Sequence, residues 1–364
     1  MTDRAAELEA AIADDPDDPE PYLIYADWLQ AREDPRGALI VLQHHGRQDE
    51  ARALIDEHRA HFLGPLAAFV PDGDAEHARG RRKLELGWHL GFLREVRIGW
   101  GPGRYSTAHL EAVEAVRVLR ELLALPSMRF LRHLAIESVP GDPAGDLGPF
   151  LDELAGTARP PPLRSLFVGR SGGEAWWIAP IAGVLRAYPA LRHLTLHAGA
   201  LSLGEIRHAE LRAFGIESHR LTAEDLADLR AAAWPRLERL EISFHERTEP
   251  VACTVRDLAP LLEGDNLPSL SHLGVRCCRF ADDVVRALAG SRLLPRLSSL
   301  DLSGGALSDA GVAAMARARL AFSHLAHLEL DRNRLTAAGR RAARRLAKRV
   351  NVGSQDPPHR DDDT

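Results

Sequence analysis

Four stretches of the chain share one cadence: "LRHLAIES" from Leu131, "LRHLTLHAGALS" from Leu191, "LSSLDLSGGALS" from Leu297 and "LAHLELDRNRLT" from Leu325. Aligned on the first Leu, they follow L-x-x-L-x-L-x-x-N/C-x-L. A unit this short cannot bury its own apolar face, so its copies must stack on one another to make a core. Copies with all four apolar places filled start at Leu191, Leu211, Leu270, Leu297 and Leu325. Weaker copies at Leu93, Leu131, Leu163 and Leu237 keep the first three, which makes nine. The copy at Leu325 is the cleanest, with Leu328, Leu330, Asn333 and Leu335 in order; Cys278 takes the place of Asn333 in the copy at Leu270.

The starts are spaced by about 29 residues on average, room for a helix after each short strand. "LTAEDLADLRAAA", "LSDAGVAAMARARL" and "LTAAGRRAARRLAKRV" each open on Ser or Thr after a Leu, the preferred helix N-cap. Ser202 with Glu205 and Thr222 with Asp225 have the spacing of a capping box. From about Leu93 to Val350 the sequence resembles the ribonuclease-inhibitor-like class of leucine-rich repeats. The resemblance implies an α/β solenoid with parallel strands on a concave face and helices on a convex face; its open first repeat needs an end cap, expected from the α-helical residues ahead of it.

In such a strand the two Leu of L-x-L point inward and the residues between them point out. The outward positions form three rows. The first reads His133, Ser165, His193, Ala213, Arg239, His272, Ser299, His327. The second reads Ala135, Phe167, Thr195, Gly215, Glu241, Gly274, Asp301, Glu329. The third reads Glu137, Gly169, His197, Glu217, Ser243, Arg276, Ser303, Asp331. From these rows His133, Phe167, His193, Thr195, His197, Glu241, Arg276, Asp301, Glu329 and Asp331 are the candidate partner-binding residues. Acidity grows toward the C-terminal copies, which favours a basic or polar protein partner over nucleic acid phosphates.

Residues 1–80 do not follow the repeat. They read as helices through "AAELEAAIADD", "YLIYADWLQARE", "RGALIVLQHHGR" and "DEARALIDEHRAHFLGPLAAF", with Asp34 as N-cap and Pro35 at the first helical position of the third. Asp27 and Arg36 are placed to pair the second helix with the third. The stretch "ADDPDDPEPYLIYADWLQAREDPRGALIVLQ" (Ala13 to Gln43), followed by "WHLGFLREVRI", resembles the repeat-companion domain that precedes leucine-rich repeats in myxobacteria and planctomycetes. That family carries no catalytic residues to transfer; the resemblance implies a bacterial interaction protein. The organisation expected is a helical cap over 1–80, a solenoid over 81–350 closed by a basic helix through Arg340–Arg349, and a disordered tail over 351–364.

Several chemistries lack their residues. The net charge of -6 gives no overall basic field, and no run of about 18 apolar residues suggests a membrane span. Three cysteines and an N-terminus without a basic, then apolar, leader fit a reducing cytoplasm. "GWGPGR" and "GRSGGEAWW" have neither dinucleotide nor phosphate-loop spacing; Trp176 and Trp177 in the second are a candidate loop contact. His193 and His197 stand about 13 Å apart on a strand, too far to share a metal. The expectation is a non-catalytic recognition module without metal or cofactor, acting as adaptor, scaffold or regulatory subunit. The alternative is an inhibitor or immunity-type protein that blocks a partner enzyme.

Overall fold

The computed structural model describes residues 2–69, 84–98, 112–137, 146–169, 177–178, 180–244 and 253–355. Contacts divide the chain into two units, Met1–Pro143 with Pro149–Val168, and Ala144–Gly148 with Gly169–Thr364.

The first unit opens with helices α1 (Thr2–Asp14), α2 (Pro19–Gln30), α3 (Pro35–His44), α4 (Gln48–Glu57) and α5 (Arg59–Leu63). Asp18 and Asp34 cap α2 and α3, each accepting a backbone N–H two residues on, and each is followed by proline at the first helical position. The single fourth helix expected from sequence is broken: α4 ends at Glu57, and Gly64 turns into a 3-10 stretch, Gly64–Phe69. Hairpin β1 (Leu84–His89) and β2 (Phe92–Ile98) is antiparallel. Its turn residues Leu90 and Gly91 both have positive φ, as a two-residue hairpin turn of this hand requires. Helix α6 (Ala112–Ala124), strand β3 (His133–Glu137), helix α7 (Gly148–Ala155) and strand β4 (Ser165–Gly169) follow, with β3 parallel to β2.

Aromatics are scarce in this chain, and several of them gather where the head meets the hairpin. Tyr22, Tyr25, Phe92 and Phe130 pack with Leu8, Ile12, Leu29 and Ile40 in one buried cluster; Phe92 and Phe130 meet edge to face with centroids 4.7 Å apart. Arg36, only 4% exposed, lies across this junction. It donates to the Gly91 carbonyl at 2.6 Å and to Ser127 Oγ at 3.0 Å, and its guanidinium stacks over Phe92 and Phe62. The expected pairing of Arg36 with Asp27 does not form: Asp27 is exposed, and Arg36 reaches past the second helix to the hairpin turn.

The second unit contains β5 (Trp177–Ile178), α8 (Ala182–Ala187), β6 (His193–Ala198), β7 (Ala200–Leu201), β8 (Ala213–Ser218), α9 (Ala223–Ala231), β9 (Arg239–Phe244) and α10 (Val255–Leu262). It continues with β10 (His272–Arg276), α11 (Ala281–Ala289), β11 (Ser299–Asp301), α12 (Asp309–Arg317), α13 (Arg319–Phe322), β12 (His327–Glu329), α14 (Ala337–Ala343) and β13 (Arg349–Asn351). Strands β6, β8, β9, β10, β11, β12 and β13 run side by side, parallel and in register on the repeat. The repeat leucines form the core: Leu194, Leu240, Leu273, Leu300 and Leu328 are at most 2% exposed.

Repeat length decides which copies carry a helix. Thr222 and Asp225 make the expected capping box ahead of α9, and Thr254 with Asp257 makes a second ahead of α10. Ser202 and Glu205 make none. Only 20 residues separate Leu191 from Leu211, and no helix stands between β7 and β8. In the last copies the caps are linked. Asp282 in the first turn of α11 accepts from the backbone N–H and hydroxyl of Ser308, the N-cap of α12.

The C-terminal segment departs from expectation. Helix α14 ends at Ala343, and the stretch read as its continuation supplies β13, parallel to β12. Gln355 then repeats what Asn333 does one copy earlier. Buried Asn333 accepts from Leu307 N–H at 3.0 Å and donates to the Leu302 and Leu330 carbonyls. Gln355 accepts from Leu335 N–H at 3.1 Å and donates to the Leu330 and Val352 carbonyls. Residues 349–355 thus form a tenth strand and ladder turn; the remainder of the expected tail, 356–364, lies outside the described residues.

Candidate functional site

Period-two alternation puts the leucines inside and most residues of the first two rows outside, and the strand register aligns those rows. In the third row Ser243 and Ser303, expected to face outward, are buried, and Ser303 lies beyond the end of β11. In the second unit, Arg239, His272, Ser299, His327 and Arg349 stand side by side on successive strands, as do Glu241, Gly274, Asp301, Glu329 and Asn351. Neighbours within a row are separated by about 4.8 Å, and the two rows by roughly 6.6 Å along the strands. Together they line a groove of about 360 Å³.

This groove has two electrical sides. Arg239 and Arg349 put positive charge on one edge, with His272 and His327 between them, while Glu241, Asp301 and Glu329 make the neighbouring floor acidic. The acids of the sequence-derived rows form the floor, and a basic edge stands beside them. Arg349 falls in a segment that reads as helix and Asn351 in the expected tail, so local pattern places neither in the rows; His272 and His327 stand in the first row.

Part of the charge is answered internally. Arg239 pairs with Glu241 at 3.1 Å, and Arg276 lies 3.6 Å from Asp301, whose other oxygen accepts from Ser303 N–H. Burial pushes the Glu329 carboxyl above its ordinary range; the nearby Asp331 and Asp301 charges add to this, against a hydrogen bond from Asn351. Burial lowers the His272 imidazole, and Arg239 beside it lowers it further. Gly274 leaves the floor open next to Glu241: a Cβ there would sit 3.3 Å from Glu241 Cγ.

The other candidate residues are distributed as follows. His193, Thr195 and His197 lie on β6 in the three rows, aligned with Ala213, Gly215 and Glu217 of β8, and His197 Nδ1 is 3.8 Å from Glu217. Asp331 follows β12 and pairs with Arg332 at 3.6 Å. His133, exposed on β3, and half-buried Phe167 on β4 belong to the first unit. Trp177 is 41% exposed, its backbone paired with Ala200; Trp176 lies outside the described residues. Among the described residues, no three His, Cys, Asp or Glu side chains are grouped to hold a metal, and no helix is long and apolar enough to cross a membrane. Cys278 is buried at the ladder position and Cys277 half-buried beside it.

Leucines inward, parallel strands in register, a buried Asn333 bridging successive repeats and intervening helices define a mixed α/β array of leucine-rich-repeat type. No family model matches the sequence, and no curated protein matches it. Among solved structures, a structural-genomics protein from Bacteroides fragilis is similar over 70% of this chain and 74% of its own, at 22% identity and a TM-score of 0.61. The likeness is one of fold. An internalin from Listeria monocytogenes aligns over 62% of this chain and 54% of its own, at 19% identity and a TM-score of 0.30.

Proposed function

We propose that this chain is a non-catalytic protein-recognition module, a bacterial cytoplasmic adaptor, scaffold or regulatory subunit, that binds its partner through the strand face of the second unit. The observation that carries this reading is the two-sided groove. It is made of side chains that project from a rigid parallel ladder and serve no core purpose. Paired basic and acidic rows suit a polar partner surface with opposite charges at matching spacing, and such complementarity sets register and encounter rate. Arg239, Asp301 and Glu329 have internal or burial-related constraints that a partner's charges would relieve. The head helices, joined to the first hairpin through Arg36, fit the role of the cap that an open repeat end needs. No cofactor enters this reading.

The test is capture from a lysate of the source organism by the wild-type chain and by the Glu241→Lys/Asp301→Lys/Glu329→Lys variant, with far-UV circular dichroism to verify folding. A protein held by wild type and lost by the folded variant supports the groove. Equal capture by both removes the groove from the binding surface. Assay of the captured protein then separates a scaffold from an inhibitor, which would abolish its partner's activity.

A further inference from the structure

Three arginines of the first unit stand in line immediately before the first display row: Arg94 before Glu95, Arg132 before His133 and Arg164 before Ser165. Backbone bonds tie them laterally, Arg132 N–H to the Arg94 carbonyl at 3.0 Å and Arg164 N–H to the Arg132 carbonyl at 2.8 Å. One carboxylate answers this row. Asp17, from the loop between α1 and α2, accepts from Arg94 and lies 3.4 Å from Arg164 Nη1. Arg94 also donates to the Pro16 carbonyl at 3.1 Å.

Arg132 in the middle is left without comparable partners. It is 4% exposed, and its enclosed Nε makes no hydrogen bond among the described residues. The groups around it are Arg164, Asp17, Arg94 and Tyr22; the Tyr22 hydroxyl is already committed to the Pro16 carbonyl. A buried guanidinium without a matching anion is costly, and its planar fork of donors is built for oxyanions. Three guanidiniums against one carboxylate leave two positive charges, the complement of a dianion.

We propose that the Arg94–Arg132–Arg164 row is an oxyanion-binding site that takes a dianion of the phosphate type, bridging Arg132 and Arg164 beside Asp17. Asp17 holds the Arg94 end and repels the incoming ion. The site therefore binds more tightly when that carboxylate is neutralised. His89, lowered by burial and by the Arg94 charge, is a reporter at the margin: an added dianion raises its proton affinity.

The probe is inorganic phosphate, titrated into the full chain at constant ionic strength with chloride as the balancing ion. Thermal midpoint and the NMR titration of His89 are the readouts. The expected result is a saturable phosphate-specific rise in midpoint and an upward shift of His89. Arg164→Gln, a half-exposed position chosen because Arg132→Gln could impair folding, weakens the apparent affinity about tenfold, the cost of losing one charge-assisted contact. Asp17→Asn tightens it several-fold, and Arg344→Gln/Arg345→Gln on the basic segment of the second unit leaves it unchanged. No difference between phosphate and chloride overturns the proposal, as does an effect unaltered by Arg164→Gln or abolished by the Arg344/Arg345 change.

Discussion

The carboxylate of Asp309, in the first turn of α12, accepts from both the backbone N–H of Thr336 at 3.0 Å and its hydroxyl at 2.5 Å, so one repeat's helix anchors the cap of the next. Thr336 in turn accepts from Ala338 and Gly339 N–H. The contact needs a glycine: a Cβ on Gly339 would stand 1.9 Å from Asp309 Oδ1, and Gly311 leaves the same room for Asp282. The aspartate can swing aside, but only by giving up both bonds. Gly339→Ala should therefore be close to neutral in the wild type, where lost capping of about 1–2 kcal/mol offsets a helix-propensity gain of about 1 kcal/mol. In the Asp309→Ala background the same change should stabilise by about 1 kcal/mol. Urea unfolding of the four-member cycle measures the coupling, and strict additivity would sink the linked-cap account.

Asn333 is fully enclosed and serves four backbone groups across two repeats, Leu307 N–H and the Leu302, Leu330 and Asp331 carbonyls. Asn333→Ala strands these groups and should cost about 3 kcal/mol, since a stranded buried polar group costs about 1–3 kcal/mol. Gln355→Ala removes the equivalent bonds at a half-exposed end and should cost about 1 kcal/mol. Equal effects would mean that the last ladder turn is as closed as the internal one.

Arg36 ties the head to the hairpin turn at Gly91 and to Ser127 after α6 by a forked pair of bonds that lysine cannot copy. Arg36→Lys should lower stability by about 2 kcal/mol, the range for hydrogen bonds to a charged group. Gly91→Ala should be comparably harmful, because φ is +83° and its Cβ would meet Ile40 Cγ1 at 2.6 Å. Loss of α1–α3 signals from an NMR spectrum without loss of the β6–β13 signals would locate the damage. A variant as stable as wild type would remove Arg36 from the junction.

Two pH windows follow from the charges. His89 and His272 are both lowered by burial. The unfolded chain therefore binds protons at these sites that the folded one refuses, and stability falls as pH drops from about 6.5 toward the depressed folded values. Asp17 is held down chiefly by its hydrogen bond from Arg94. Its contribution is full above the unfolded value of about 3.9 and is lost as pH falls through the folded one. The double change His89→Gln/His272→Gln should flatten the upper window, and Asp17→Asn the lower. Midpoints of urea unfolding from pH 7.5 to 3 check both, and variants that parallel the wild type would contradict the assignment.

Leucine spacing and period-two alternation were enough to place the nine repeat strands and the first two outward rows, because those signals are local and the register of a parallel ladder follows from them. The third row was only partly legible, since Ser243 and Ser303 turn out buried. Asp34, Thr222 and Thr336 were likewise readable as caps from their immediate neighbours. The limits appear where local signals compete. Ser202 has a capping spacing but no chain length for a helix, and "RRAARRLAKRV" has the composition of a helix yet gives its end to β13.

The repeat, its inward face and the acids of the floor follow from residue order alone, since each is a matter of spacing along one strand. The tertiary structure decided which residues are joined across repeats: Asp309 with Thr336, Gln355 with Leu330, Arg36 with Gly91, and the basic edge with the acidic floor. The pairings across repeats depend on the lateral distance of about 4.8 Å between strands, and that of Arg36 with Gly91 on the packing of the head helices against the hairpin. Both bring together residues tens of positions apart, and no local pattern in the chain encodes them.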